Sequence, residues 1–210
     1  MPATSRKQFL RTLGATSAAG ALLTACGRPG DKKPAGRDAP KGMTSGGDVA
    51  ILNFALTLEY VESDFYDAVV RSGVVKDRTV LELAKRFGET ERLHVGALSF
   101  AVLGLGGKPA ARPKTTFDEV LAGGPRKVLD TAAMVENLGA AAYLGQAARL
   151  RDKDLLARAL SIHTVEARHA AALNSLAGKG FRGALPDGAF AKPLAMDEAL
   201  KAVKPFIAKD

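Results

Sequence analysis

Apolar residues recur every three or four positions in four long stretches of this chain, the spacing of one face of an α-helix. The first predicted helix runs from about Asp48 to Arg71, with Ile51, Leu52, Ala55, Leu56, Glu59, Glu62 or Ser63, and Tyr66 on its inner stripe and Gly73 at its end. The second starts near an Asp77 cap and continues to about Leu103, bearing Leu81, Ala84, Phe87, Glu91, His94, Leu98 and Ala101 on neighbouring rows. The third opens after Gly124 with Pro125 in its first turn and runs to about Leu150, carrying Leu129, Ala132, Glu136, Ala140 and Tyr143. The fourth spans about Asp154 to Leu176, with Leu155, Leu156, Ala159, Ile162, Glu166, His169 and Leu173 inward and Gly178 closing it.

The joints decide how these helices are arranged. A handful of residues separates the first from the second and the third from the fourth, so each pair is expected to form an antiparallel hairpin. The 21-residue link between the second and third, containing KPAARPK, is long enough to run from one end of a bundle to the other. The expected fold class is therefore all-α, a four-helix bundle over residues 48–178 with one long crossover. Residues 179–210 predict a loop and a short helix near Met196 to Val203, interrupted by Pro205 and closing an open end of the bundle.

The polar residues on the inner stripes repeat. Glu59 and Glu136 are 77 positions apart, as are Tyr66 and Tyr143; Glu91 and Glu166 are 75 apart, as are His94 and His169. With 9 glutamates in 210 residues, a histidine would meet one three positions earlier about once in 23 by composition alone. Two of the three histidines do so, in Glu91-Arg-Leu-His94 and Glu166-Ala-Arg-His169. Residues three apart share a helix face, so each pair directs a carboxylate and an imidazole toward one interior point, a geometry suited to a buried metal. The chain reads as one helical hairpin used twice, neither copy able to bury its apolar face alone.

From Asp48 to about Leu176 the chain resembles the ferritin-like superfamily, in particular the exported bacterial ferritin-like domain proteins, and LNFALTLEYVESDFY matches that family's first helix. The resemblance implies a bundle in which one glutamate from each of two helices and a Glu-x-x-His from each of the others hold paired iron or manganese ions. On this chain it selects Glu59, Glu91, His94, Glu136, Glu166 and His169. Glu62 competes with Glu59 for the first position, and the glutamate-to-tyrosine spacing shared by both halves favours Glu59. Glu62 then stands beside the ligands; Tyr66 and Tyr143 either hydrogen-bond the ligating carboxylates or serve as packing residues. His163 lies off the ligand line, in a partly exposed or capping role.

Four carboxylates bring about four negative charges, which two divalent cations would cancel. Oxygen and imidazole donors suit Fe(II), Mn(II) and Zn(II), and the chain has no thiolate among these positions to favour a softer metal. Redox-active ions would make Fe(II), dioxygen or peroxide the natural substrates. The alternative is a non-enzymatic, membrane-anchored helical bundle with a structural or protective role. The sequence carries no signal of oligomeric state.

Composition changes the picture mainly at the amino terminus. Residues 1–26 read as an export signal: a basic stretch SRKQFLR, an apolar run LGATSAAGALLTA and then Cys26. The run is too short to span a bilayer, which needs roughly 20 residues. Arg6 and Lys7 occupy the paired positions of a twin-arginine-like signal, and LTAC resembles a lipobox that directs lipidation at Cys26. Residues 27–47, rich in Gly, Pro and Lys, read as a flexible tether. The expectation is export, with the domain lipid-anchored to a bacterial membrane and facing the periplasm or cell exterior. A tethered chain fits poorly in a closed storage shell. The net charge of +8 comes mostly from these segments, which contribute +3 each and leave +2 for the rest, so a nucleic-acid partner is not expected.

Overall fold

The computed structural model describes residues 45–185 and 188–208. The expected signal with Cys26, and the tether as far as residue 44, lie outside the described residues. Four long helices form the body: α1 (Ser45–Ser72), α2 (Arg78–Gly104), α4 (Gly124–Ala147) and α5 (Lys153–Asn174), with a short α3 (Asp118–Ala122) before α4. A π-helical turn (Ser175–Lys179), a short α6 (Gly180–Gly183), α7 (Met196–Val203) and a 3-10 turn (Lys204–Phe206) follow. The fold is an all-α helical bundle.

Local chemistry sets the helix ends. The Asp77 carboxylate accepts the Thr79 and Val80 backbone N–H groups, both at 2.9 Å, and starts α2. Asp152 does the same for α5 through Asp154 and Leu155 at 2.8 and 3.0 Å. These caps satisfy amides that have no partner within the helix. The chain turns at Gly73, whose φ of 62° places it in the left-handed region that side chains resist.

Two helix ends differ from expectation. α1 begins at Ser45, three residues before Asp48. Asp48 is buried, and its carboxylate accepts the backbone N–H groups of Arg151 and Asp152 at 3.1 Å each. It thereby fastens the start of α1 to the α4–α5 turn. That turn comes earlier than expected: α4 stops at Ala147, and the Arg149 N–H bonds back to the Gln146 carbonyl, tucking Leu150 into the core.

The link from α2 to α4 travels the length of α1. At its start, Asn53 donates to the Lys108 carbonyl at 3.0 Å and accepts the Ala110 N–H at 2.7 Å. Farther on, Thr115 donates to Asp64 at 2.9 Å, Arg112 pairs with Asp64, and the Arg112 guanidinium lies 4.5 Å above the Tyr60 ring. Phe117 then meets Phe65 edge-on at 5.4 Å. Asn53 to Asp64 is about 16 Å of helix, so the link is the lengthwise crossover, and it makes α4 antiparallel to α1.

The carboxy-terminal segment lies along a side of the bundle; the expectation that it closes an end is corrected. The Leu194 N–H bonds to the Ala141 carbonyl at 2.9 Å, and α7 buries Ala199 and Val203 in the core shared with α1 and α4. Phe206 packs on Phe117, and Thr115 and Ile207 form an isolated antiparallel bridge. The reason is local: a carbonyl of Leu194 lies against Gly145, where a Cβ would stand 2.0 Å from it. Only glycine leaves that groove open.

Two apolar clusters fill the interior. One gathers Leu56, Leu98, Val102, Tyr143 and Ile162; the other gathers Val61, Phe65, Tyr66, Phe87, Val128 and Val135. Full burial of each large apolar side chain is worth roughly 1.5–3 kcal/mol. Among the described residues, no helix is long and apolar enough to cross a membrane.

Candidate metal centre

The carboxylates lie in the middle of this apolar interior. Glu59, Glu91, Glu136 and Glu166 are each 0% exposed, while His94 and His169 retain 8%. α1 supplies Glu59, α2 supplies Glu91 and His94, α4 supplies Glu136, and α5 supplies Glu166 and His169. The structure brings all six residues together.

Their atoms form two overlapping groups. Glu59, Glu91, His94 and Glu166 offer ligand atoms all within 4.8 Å of one another, and so do Glu91, Glu136, Glu166 and His169. Glu91 and Glu166 belong to both. His94 Nδ1 lies 2.8 Å from Glu91 Oε2, 3.2 Å from Glu166 Oε1 and 3.3 Å from Glu59 Oε2. His169 Nδ1 lies 3.1 Å from Glu91 Oε1 and 3.3 Å from Glu136 Oε2. Both imidazoles thus present the same nitrogen to the carboxylates.

Each tyrosine serves the other half of the repeat. Tyr143 donates its hydroxyl to Glu59 Oε1 at 2.5 Å, and Tyr66 donates to Glu136 Oε1. Burial, followed by the adjoining carboxylates, holds both phenols well above their ordinary range, which keeps them as donors. His163 lies apart from the cluster, half-buried, with Nδ1 2.9 Å from the Ala140 carbonyl.

The cluster is short of hydrogen bonds. Glu59 Oε2, Glu91 Oε1, Glu136 Oε2, both oxygens of Glu166 and His169 Nδ1 are buried without a hydrogen-bond partner. Such groups are costly to bury unless something compensates them. Burial pushes the Glu59 carboxyl up to about 7, and burial with neighbouring carboxylates raises Glu166 well beyond its usual range. Burial opposes a charged His94, yet the carboxylates of Glu166, Glu59 and Glu91 close around its Nδ1 outweigh it and raise the imidazole to about 12. For His169, the nearby Glu136 and Glu91 carboxylates, 3.3 and 3.1 Å from Nδ1, overcome burial and raise it to about 9. Glu91 alone among the four carboxylates is lowered: burial opposes it, but the two imidazoles beside it favour its charged form. The raised carboxyl and imidazole groups thus favour their protonated forms.

Unpartnered oxygens, converging imidazole nitrogens and the oxygen–nitrogen donor set make this buried acidic and histidine cluster compatible with a dinuclear metal site. One further contact carries no obvious signal in the sequence, and Glu62 takes the place beside the ligands that its position on the inner stripe predicts. Phe87 stacks on the His169 ring, 3.9 Å between centroids and 21° between planes, which fixes the imidazole's orientation. Its place four residues before Glu91 marks it as inward-facing and no more. Glu62 is also buried, 2% exposed, with both oxygens unpartnered, and Gly139 stands beside it.

No curated protein matches the chain. A family model described as a ferritin-like domain matches residues 47–179, the stretch that contains the four long helices, save the first two residues of α1, and all six residues of the cluster. The chain belongs to the ferritin-like domain family.

Proposed function

We propose that the bundle binds a carboxylate-bridged pair of divalent metal ions, iron or manganese by preference with zinc fitting the same donors, and uses it in oxidoreductase chemistry on Fe(II), dioxygen or peroxide. One observation carries this reading: Glu91 and Glu166 are shared between two ligand groups, each completed by one more glutamate and one imidazole nitrogen. Glu59 and His94 would complete one position, Glu136 and His169 the other. A bound redox-active pair would supply electrons and Lewis acidity.

The surrounding residues suit that role. Tyr143 and Tyr66 orient the two unshared carboxylates, leaving their second oxygens directed into the cluster. The apolar clusters keep water from the carboxylates, which strengthens electrostatic interactions there. The histidine side chains, 11% and 10% exposed, are the members of the six that reach the surface. A molecule as small as dioxygen or peroxide would approach along the α2–α5 seam that bears them.

Export and lipid anchoring at Cys26 complete the proposal. They are supported by the basic stretch, the apolar run and LTAC, which together read as an address for the outer face of a bacterial membrane. Detergent partitioning with mass spectrometry of the mature amino terminus tests it, and an intact Met1 on a cytosolic protein would reject it.

The metal reading is tested by anaerobic reconstitution of the full chain with Fe(II) or Mn(II), followed by elemental analysis. About two metals per chain are expected, and oxygen or peroxide should change the visible spectrum of the reduced iron form. Failure to take up either metal rejects the site. Stable uptake without any reaction rejects the oxidoreductase role and leaves metal as a contributor to folding.

A further inference from the structure

Glu62 has no counterpart in the second hairpin, and that absence makes room for its carboxylate. The 77-residue offset relating Glu59 to Glu136 and Tyr66 to Tyr143 relates Glu62 to Gly139. A Cβ on Gly139 would lie 2.8 Å from Glu62 Oε1 and 3.0 Å from Glu166 Oε2, closer than packed atoms tolerate. Gly139 is buried within α4, where glycine is otherwise a poor choice. Its use there is explained by the two carboxylates converging on the space above it.

The carboxylate in that space lacks any ordinary compensation. Both Glu62 oxygens are buried without a hydrogen-bond partner, and among the described residues no lysine or arginine pairs with it. Ser63 beside it is likewise buried and unpartnered and offers it no bond. A stability-driven sequence would place an apolar residue here, because an unpaired buried carboxylate is among the costliest groups in a protein.

We propose that Glu62 is a further protein ligand of the metal pair, entering beside the shared carboxylate of Glu166 on the side that Gly139 leaves open. This inference rests on the metal-binding reading above. It makes the two ends of the centre unequal despite the repeat, since five carboxylates face two ions and the fifth comes from the first hairpin alone.

Co(II) titration of the full chain tests the proposal, with uptake followed by the visible spectrum and by competition against a chelator. The Glu62→Gln variant should bind at least one equivalent of Co(II) on the order of ten- to a hundredfold more weakly, with an altered spectrum. Its metal-free form should melt higher than the wild type, since an unpartnered buried carboxyl, costly to bury, has been removed. Gly139→Ala, which leaves Glu62 in place but takes its space, should weaken binding in the same way, and the double variant should be little worse than either single one. An unchanged Co(II) spectrum and affinity in Glu62→Gln would overturn the assignment while leaving the six-residue site intact. If the wild type takes up no Co(II), Fe(II) or Mn(II), the metal reading and this inference fall together.

Discussion

Tyr143 on the second hairpin donates its hydroxyl to Glu59 on the first, 2.5 Å away in a fully buried setting. The bond ties the two halves of the bundle together at the ligand cluster. Tyr143→Phe should strand a carboxylate oxygen and cost about 1–3 kcal/mol, read as a lower denaturation midpoint. Metal affinity should fall roughly tenfold or more, because the freed carboxylate loses its orientation. Unchanged metal affinity in a folded variant would limit the tyrosine to packing.

Shared and unshared glutamates should separate in a stoichiometry experiment. Glu91→Ala and Glu166→Ala each remove a donor from both groups and should abolish tight binding at both. Glu59→Ala and Glu136→Ala each touch one group and should leave about one metal per chain. Elemental analysis after Mn(II) loading reads the difference; equal loss in all four variants would contradict a bridged arrangement.

The pH dependence has a definite sign. Glu59 rises from 4.5 to about 7, His169 from 6.5 to about 9 and His94 from 6.5 to about 12, so the folded metal-free protein holds protons that the unfolded chain releases. Those contributions are fully present below the unfolded values and are lost as pH rises through the folded ones. Melting temperatures of the metal-free protein should therefore fall between about pH 5 and pH 9; the lowered Glu91 titrates below that range and does not enter it. A metal bound at the cluster would displace the same protons, so the thermal shift produced by Mn(II) should grow over that range. A metal-induced shift that shrinks with rising pH would contradict proton displacement.

Gly145→Ala should dislodge the carboxy-terminal segment. The new Cβ would meet the Leu194 carbonyl oxygen at 2.0 Å, a backbone atom that cannot swing aside. A cost of about 1–3 kcal/mol is expected, together with faster proteolysis near residues 188–195. Equal protease resistance would show that the segment reseats without loss.

Some of this was legible in the sequence for a physical reason. Helical faces are periodic, so Glu91 with His94 and Glu166 with His169 announce their shared direction, and the hairpins follow from short joints. The Asp77 cap and Gly73 are equally local signals. Asp48 was not legible as the clasp on the α4–α5 turn, because its partners lie more than 100 residues away. The tail's course along α4 depends on Gly145, and a helical glycine looks alike whether it faces water or a passing backbone. Gly139 was hidden for the same reason until Glu62 was placed opposite it. The tyrosines showed their spacing but not their exchange of partners, which only the antiparallel docking of α1 and α4 produces.

The division of the cluster between hairpins bears on the order in which the molecule assembles. Each shared group draws residues from both α1–α2 and α4–α5, so neither hairpin contains a complete binding position. The hairpins are rich in local contacts and are the natural early units of folding, whereas their docking must wait for a long loop to close. Metal capture would then follow that closure and act as a latch on it. Chelation should loosen the seam between halves before it melts any helix, a sequence that hydrogen exchange would resolve as early opening at Tyr66 and Tyr143 with the hairpin turns still protected.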